Sequence, residues 1–294
     1  MWHPADSFFA VALYESIGIE RLWERLEKCI TKDDSTRRNS ERAGAKFKLK
    51  QESNHGTPCA LLASFPNSGT TLTQILAANA TGVFSFDSYT LPGNTRLGVG
   101  WYYTEREHQR FPQGEETCLQ KYHLFGWKFE EPWPKSGERL GVELQRYMSR
   151  KVVRIVRHPL DNLVARIHWL AKHCASGELF RTAKIPLDWM ESELSRWFRW
   201  HQALNEEALD RGINILTVSY ANITADARRS LLPVLEYLHF DPRVLQEWHN
   251  TVSIHRKPEW WYPGLPERLT WFGEPELRRV AVLMERFLEE GQCL

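Results

Sequence analysis

The 294-residue chain is long enough to bury a full core, as one large α/β domain or two small ones. Its 38 Lys and Arg nearly cancel 37 Asp and Glu, a balance that argues against a bulk nucleic-acid or membrane-binding surface. The 42% hydrophobic and 26% charged shares are those of an ordinary globular protein, and no apolar run reaches the length of a membrane span.

Residues 7–30 read as one amphipathic helix, with Phe8, Leu13, Ile17, Ile19, Leu22 and Leu26 near helical spacing. Before it, Met1-Trp2-His3-Pro4-Ala5-Asp6 lacks a basic segment followed by an apolar run, so no signal peptide is expected. A polar connector follows over 31–57. Strands and helices then alternate: a buried strand at Cys59–Phe65, a helix at Thr71–Ala80, a β-branched strand at Lys151–Val156 and a helix opened by Pro159 and running to about Cys174. A Trp-rich helix over 188–210, a strand at Ile213–Ser219 and helices near 225–238 and 275–290 complete the pattern. Such alternation predicts an α/β fold, a central parallel sheet flanked by helices. Trp189, Trp197, Phe198 and Trp200 share one helix and are expected to pack rather than to form a binding cage. The five cysteines are odd in number and form no Cys-x-x-Cys pair, so free thiols in a reducing, cytoplasmic setting are expected. His168 and His173 lack a third ligand at useful spacing, and no metal site is expected.

Phe65-Pro66-Asn67-Ser68-Gly69-Thr70-Thr71 joins the first of these strands to its helix. Small residues at Ser68 and Gly69 let backbone amides approach an anion, the following helix directs its dipole at the same place, and Thr70 and Thr71 add hydroxyl donors. On residues alone, an ordinary strand-to-helix turn with a Thr cap accounts for the loop equally well. Ser64 to Thr71 resembles the 5′-phosphosulfate loop of sulfotransferases that use 3′-phosphoadenosine-5′-phosphosulfate (PAPS), commonly Tyr-Pro-Lys-Ser-Gly-Thr-Thr. Asn67 stands where that family has Lys. The nucleotide-kinase pattern, which needs Lys after the second Gly, does not match.

A second segment, Val153 to Ala165, resembles the family's 3′-phosphate site through Arg157, Pro159 and Asp161; Ala165 stands where the family has Ser. An Arg at the carboxyl end of a parallel strand points toward the crevice where such sheets bind ligands, and its planar fork suits phosphate. An ion pair with Asp161 is the structural alternative. Between the two segments, Lys121-Tyr122-His123-Leu124 resembles the family's Lys-Thr-His-Leu stretch, which makes His123 the expected general base and Lys121 a charge-stabilising partner. Lys121 or Lys128 is then available to replace the charge missing at Asn67. On its own, His123, one of 11 histidines, reads better as a residue that packs near the sheet; its place between the two cofactor segments favours the catalytic reading.

Tyr220 ends the strand at 213–219 in this reading, where the family places an adenine contact; a buried core tyrosine is the alternative. Arg256 and Lys257 are similar to the family's closing loop over the 3′-phosphate, although Pro258 replaces its Gly; a solvated basic pair reads as well. The resemblance covers most of 58–258. It implies a kinase-like sulfotransferase domain over 58–294, preceded by a helix and connector over 1–57. It also implies PAPS as cofactor with 3′,5′-ADP as product, and a small-molecule acceptor with no nucleic-acid or membrane partner. A nucleotide-binding protein without catalysis, and an ATP-dependent phosphotransferase of the same fold, are the alternatives. The stretch from Phe84 to Gly114 matches no motif, so the acceptor is not legible, and no family dimer motif is found near the C-terminus.

Overall fold

The computed structural model describes residues 4–28, 60–81, 85–87, 119–122, 151–173, 186–245, 269 and 271–289. Five parallel strands form one sheet: β1 Ala60–Ser64, β2 Ser85–Asp87, β3 Leu119–Tyr122, β4 Lys151–Val156 and β5 Asn214–Ser219, in the spatial order β2-β3-β1-β4-β5. The expected α/β architecture is thus present. The helices are α1 Pro4–Ile17, α2 over 19–28, α3 Thr70–Thr81, α4 Pro159–His173, α5 Leu187–Arg211, α6 Tyr220–Ala225, α7 Ala227–Tyr237 and α8 Glu274–Glu289.

The chain divides into two units. One comprises Met1–Asp33, Arg157–Leu204 and Arg256–Leu294; the other comprises Asp34–Val156 and Asn205–His255 and contains the sheet. In the sheet unit, every residue of β1 is buried, as are the last five of β4, because helices cover a parallel sheet on both faces and its inner strands carry no polar face. Leu62, Leu76, Val153, Ile155, Leu216, Leu231, Val234 and Leu235 belong to the core between sheet and helices. Arg154 sits fully buried in β4, donating to its cross-strand neighbour Thr217 at 2.7 and 3.0 Å and to Asn205 Oδ1 at 2.5 Å. A buried guanidinium survives only when its donors are satisfied in this way.

The other unit is helical. The single helix read over 7–30 is broken at Gly18, whose φ of 80° ends α1 in the left-handed turn that a residue without Cβ adopts at low cost. Trp197, Phe198 and Trp200 of α5 are buried packing residues, as expected, with Trp23 of α2 edge-on to Trp197 and Phe287 of α8 stacked on Phe198. Arg166 of α4 is fully buried and held by Glu193 of α5 at 2.9 Å, which Arg196 also meets at 3.2 Å. Among the described residues no helix is long and apolar enough to cross a membrane, and no cluster of three metal-ligating side chains occurs.

Candidate functional site

The sheet order puts β1 at the switch point. The chain leaves β1 for the edge strand β2, returns to β3 beside β1, then crosses to β4 on its other side. Ligands of open α/β sheets bind outside the carboxyl ends of the strands at such a reversal. The segment leaving β1 there is Phe65–Gly69, the loop singled out from sequence.

Two of its residues are left-handed, Asn67 with φ 67° and Gly69 with φ 95°. Asn is one of the few residues other than Gly that visits this region at modest cost; a Lys would adopt it less readily. The presence of Asn67 therefore has a backbone reason. The Ser68 N–H donates to Phe65 O at 3.2 Å and closes the turn, while Gly69 O accepts from Thr73 N at 3.0 Å and starts α3. The first-turn N–H groups of α3 have no acceptor within the helix and face the loop side, as at any helix start. Gly69 is also covered: a Cβ there would lie 2.5 Å from Tyr220 Cε2.

The two threonines divide their work. Thr70 is buried and its hydroxyl shares a 2.9 Å hydrogen bond with Ser64, the last residue of β1, so it ties the loop to the strand. Thr71 is exposed and receives a 3.2 Å hydrogen bond from Lys121 Nζ. Lys121 is paired with Leu62 across the β1–β3 ladder, and this register carries its ammonium to the N-terminus of α3. Asn67, Ser68, Gly69, Thr70, Thr71 and Lys121 are thus brought together. Tyr220 joins them by a route the sequence did not suggest. Its ring lies against Gly69, and it opens α6 instead of ending β5. Ser64 was missed; its hydroxyl at the end of an apolar strand was the available signal. His123, Lys128, Arg256 and Lys257 lie outside the described residues.

Arg157, the first residue after β4, belongs to the helical unit and is buried. It makes the ion pair that was the structural alternative, donating from Nε at 2.5 Å and from Nη2 at 3.2 Å to the Asp161 carboxylate one helical turn on. Next to it, His158 accepts a hydrogen bond from Leu160 N at Nδ1 (3.3 Å) and lies 3.1 Å from the Tyr14 hydroxyl at Nε2. The imidazole is half-buried by exposed area. Its polar atoms nonetheless sit in desolvating surroundings, which pushes its pKa down to about 3 and leaves it neutral at physiological pH. Burial, followed by the Arg157 charge, also lowers His168.

No protein-family model matches the sequence, and no curated protein matches it. Solved structures similar to the chain include the mouse sulfotransferase SULT7A1 complexed with PAP and the sulfotransferase domain of the Synechococcus PCC 7002 olefin synthase. Each is 16% identical with a TM-score of 0.40, covering 82% of this chain and 90% and 98% of theirs, respectively.

Proposed function

We propose that the chain is a sulfotransferase that transfers a sulfuryl group from PAPS to a hydroxyl or amine of a small acceptor. The observation that carries this reading is the Lys121 ammonium on Thr71 at the start of α3, beside a loop with two left-handed residues at the sheet's switch point. Backbone N–H groups, a helix terminus, a hydroxyl and a cation make a donor set for a multiply charged anion and have no evident use for a neutral ligand. Such a set suits a phosphosulfate. PAPS would supply the activated sulfuryl group and leave as 3′,5′-ADP.

In this reading the loop over Asn67–Thr71 and the Thr71 hydroxyl hold the 5′-phosphosulfate. Lys121 supplies from β3 the charge that the resembling family places in the loop, and it offsets negative charge developing on the departing phosphate oxygen. Arg157 holds the 3′-phosphate, as the resemblance of its segment implies, its planar fork suiting a phosphate. Tyr220 borders the adenine, and Arg256 and Lys257 close over the 3′-phosphate. His123 removes the acceptor's proton as its oxygen or nitrogen bonds to sulfur and the sulfur–oxygen bond to the phosphate breaks.

Calorimetry tests the binding half: 3′,5′-ADP binds the chain far more tightly than 5′-AMP, and Lys121→Met weakens 3′,5′-ADP by about 10–100-fold, the worth of a hydrogen bond to a charged group. Equal affinity for the two nucleotides overturns the reading. For catalysis, His123→Ala lowers kcat by about 10²–10⁴-fold on a neutral hydroxyl acceptor and leaves 3′,5′-ADP affinity within a few-fold. Near-parental turnover in that variant places the base elsewhere.

A further inference from the structure

The helix that follows Arg157 has an unusual cap. In α4, Pro159 is the first helical residue, and the carbonyl of His158 accepts the first helical bond from Asn162 N at 2.8 Å. His158 is therefore the N-cap, and its Nδ1 accepts from the Leu160 N–H, as a Ser, Asp or Asn oxygen does in an ordinary cap. An imidazole can do this only while Nδ1 carries no proton. The neutral ring must then hold its proton on Nε2, and that N–H needs an acceptor of its own.

Tyr14 of α1 supplies one. Its hydroxyl oxygen lies 3.1 Å from Nε2, and its own proton is donated to Glu20 Oε2 of α2 at 2.5 Å. Each member thus has one role: Leu160 N–H to Nδ1, Nε2–H to Tyr14, Tyr14 O–H to the carboxylate. The Tyr14 hydroxyl is held in its protonated form because burial, followed by the Glu20 carboxylate, raises its pKa. Trp23 of α2 closes over the ring edge-on, with centroids 4.8 Å apart. The charged groups beside His158 on its own segment are Arg157 and Asp161, already paired with each other.

We propose that Tyr14, backed by Glu20, is a positioning residue for the Arg157 segment: it selects the Nε2–H tautomer of His158, which lets His158 cap α4 and so sets Asp161 against Arg157. The N-terminal helices then act on the Arg157 segment of their own unit, a role the sequence reading did not give them. The functional consequence rests on the 3′-phosphate role of Arg157 proposed above; the tautomer does not.

The experiment combines ¹⁵N NMR of the imidazoles in the full chain with calorimetry of 3′,5′-ADP. In the parent, His158 shows a pyridine-type Nδ1 and a pyrrole-type Nε2, and stays neutral well below the usual histidine range. In Tyr14→Phe, the Nε2–H signature is lost or His158 titrates nearer the ordinary value, and 3′,5′-ADP affinity falls about tenfold. Adding His158→Asn to Tyr14→Phe restores affinity to within a few-fold of parent, because Asn caps a helix without a tautomer to be fixed. That rescue separates positioning from general loss of structure. A proton on Nδ1 in the parent, or an unchanged tautomer and affinity in Tyr14→Phe, overturns the proposal. If the parent binds no 3′,5′-ADP, the functional reading has failed, and the NMR arm still decides the cap.

Discussion

Replacing Gly69 with Ala probes the loop at the point where backbone conformation and packing meet. The residue has φ 95°, and an added Cβ would stand 2.5 Å from Tyr220 Cε2. Two costs follow. A residue with a Cβ in left-handed conformation loses about 1–2 kcal/mol. Forcing a methyl group against an aromatic ring adds about 1–3 kcal/mol. The variant is therefore destabilised by about 2–5 kcal/mol if neither cost is relieved by movement. Tyr220→Ala removes the second cost and leaves the first. In that background the Gly69→Ala increment shrinks to about 1–2 kcal/mol, a coupling of about 1–3 kcal/mol between the two positions. Urea denaturation of parent, both single variants and the double variant measures it. Calorimetry of 3′,5′-ADP on the same four proteins shows whether the loop moves: Gly69→Ala lowers affinity by a larger factor in the parent than in the Tyr220→Ala background. Additive destabilisation, or a Gly69→Ala protein as stable as its parent, would refute the contact between ring and glycine.

Asn67→Lys restores the charge that the resembling family carries in its loop, but asks a Lys to hold φ 67°. It is expected to bind 3′,5′-ADP more tightly while lowering stability by about 1 kcal/mol; complete loss of binding with the fold intact, seen by calorimetry and circular dichroism, would mean that Asn67 makes an essential contact of its own. Acid sensitivity follows from His158, whose folded pKa of about 3 lies below its unfolded value. Between those values the unfolded chain binds the extra proton, so stability is fully present above about pH 6.5 and declines as pH falls toward 3. Because the ring is only half-buried, the expected loss is ~1 kcal/mol between pH 6.5 and 5. His158→Asn should flatten that limb in denaturation curves, and an unchanged limb would assign it to other groups.

Much of the fold was legible because its signals are local. The apolar run at β1, the β-branched run at β4 and the proline that opens α4 each announce an element within a few residues. β2 was not legible: three residues at a sheet edge are too few for a period, and only pairing with β3 makes Ser85–Asp87 a strand. The break at Gly18 was hidden because apolar spacing continues through it, while the conformation of one glycine ends the helix.

The sequence by itself determined that a short loop of small and hydroxyl-bearing residues joins a buried strand to a helix, that Arg157 follows a second strand and that Lys121 lies between them. These are properties of short stretches, set by residue size, charge and period. Which residues meet was decided by the tertiary structure. The β1–β3 register carries Lys121 to Thr71, the start of α6 lays Tyr220 on Gly69, and α1 and α2 bring Tyr14 and Glu20 to His158. Residues far apart in the chain become neighbours only when burial of the apolar faces pulls their elements together, and no local pattern records that.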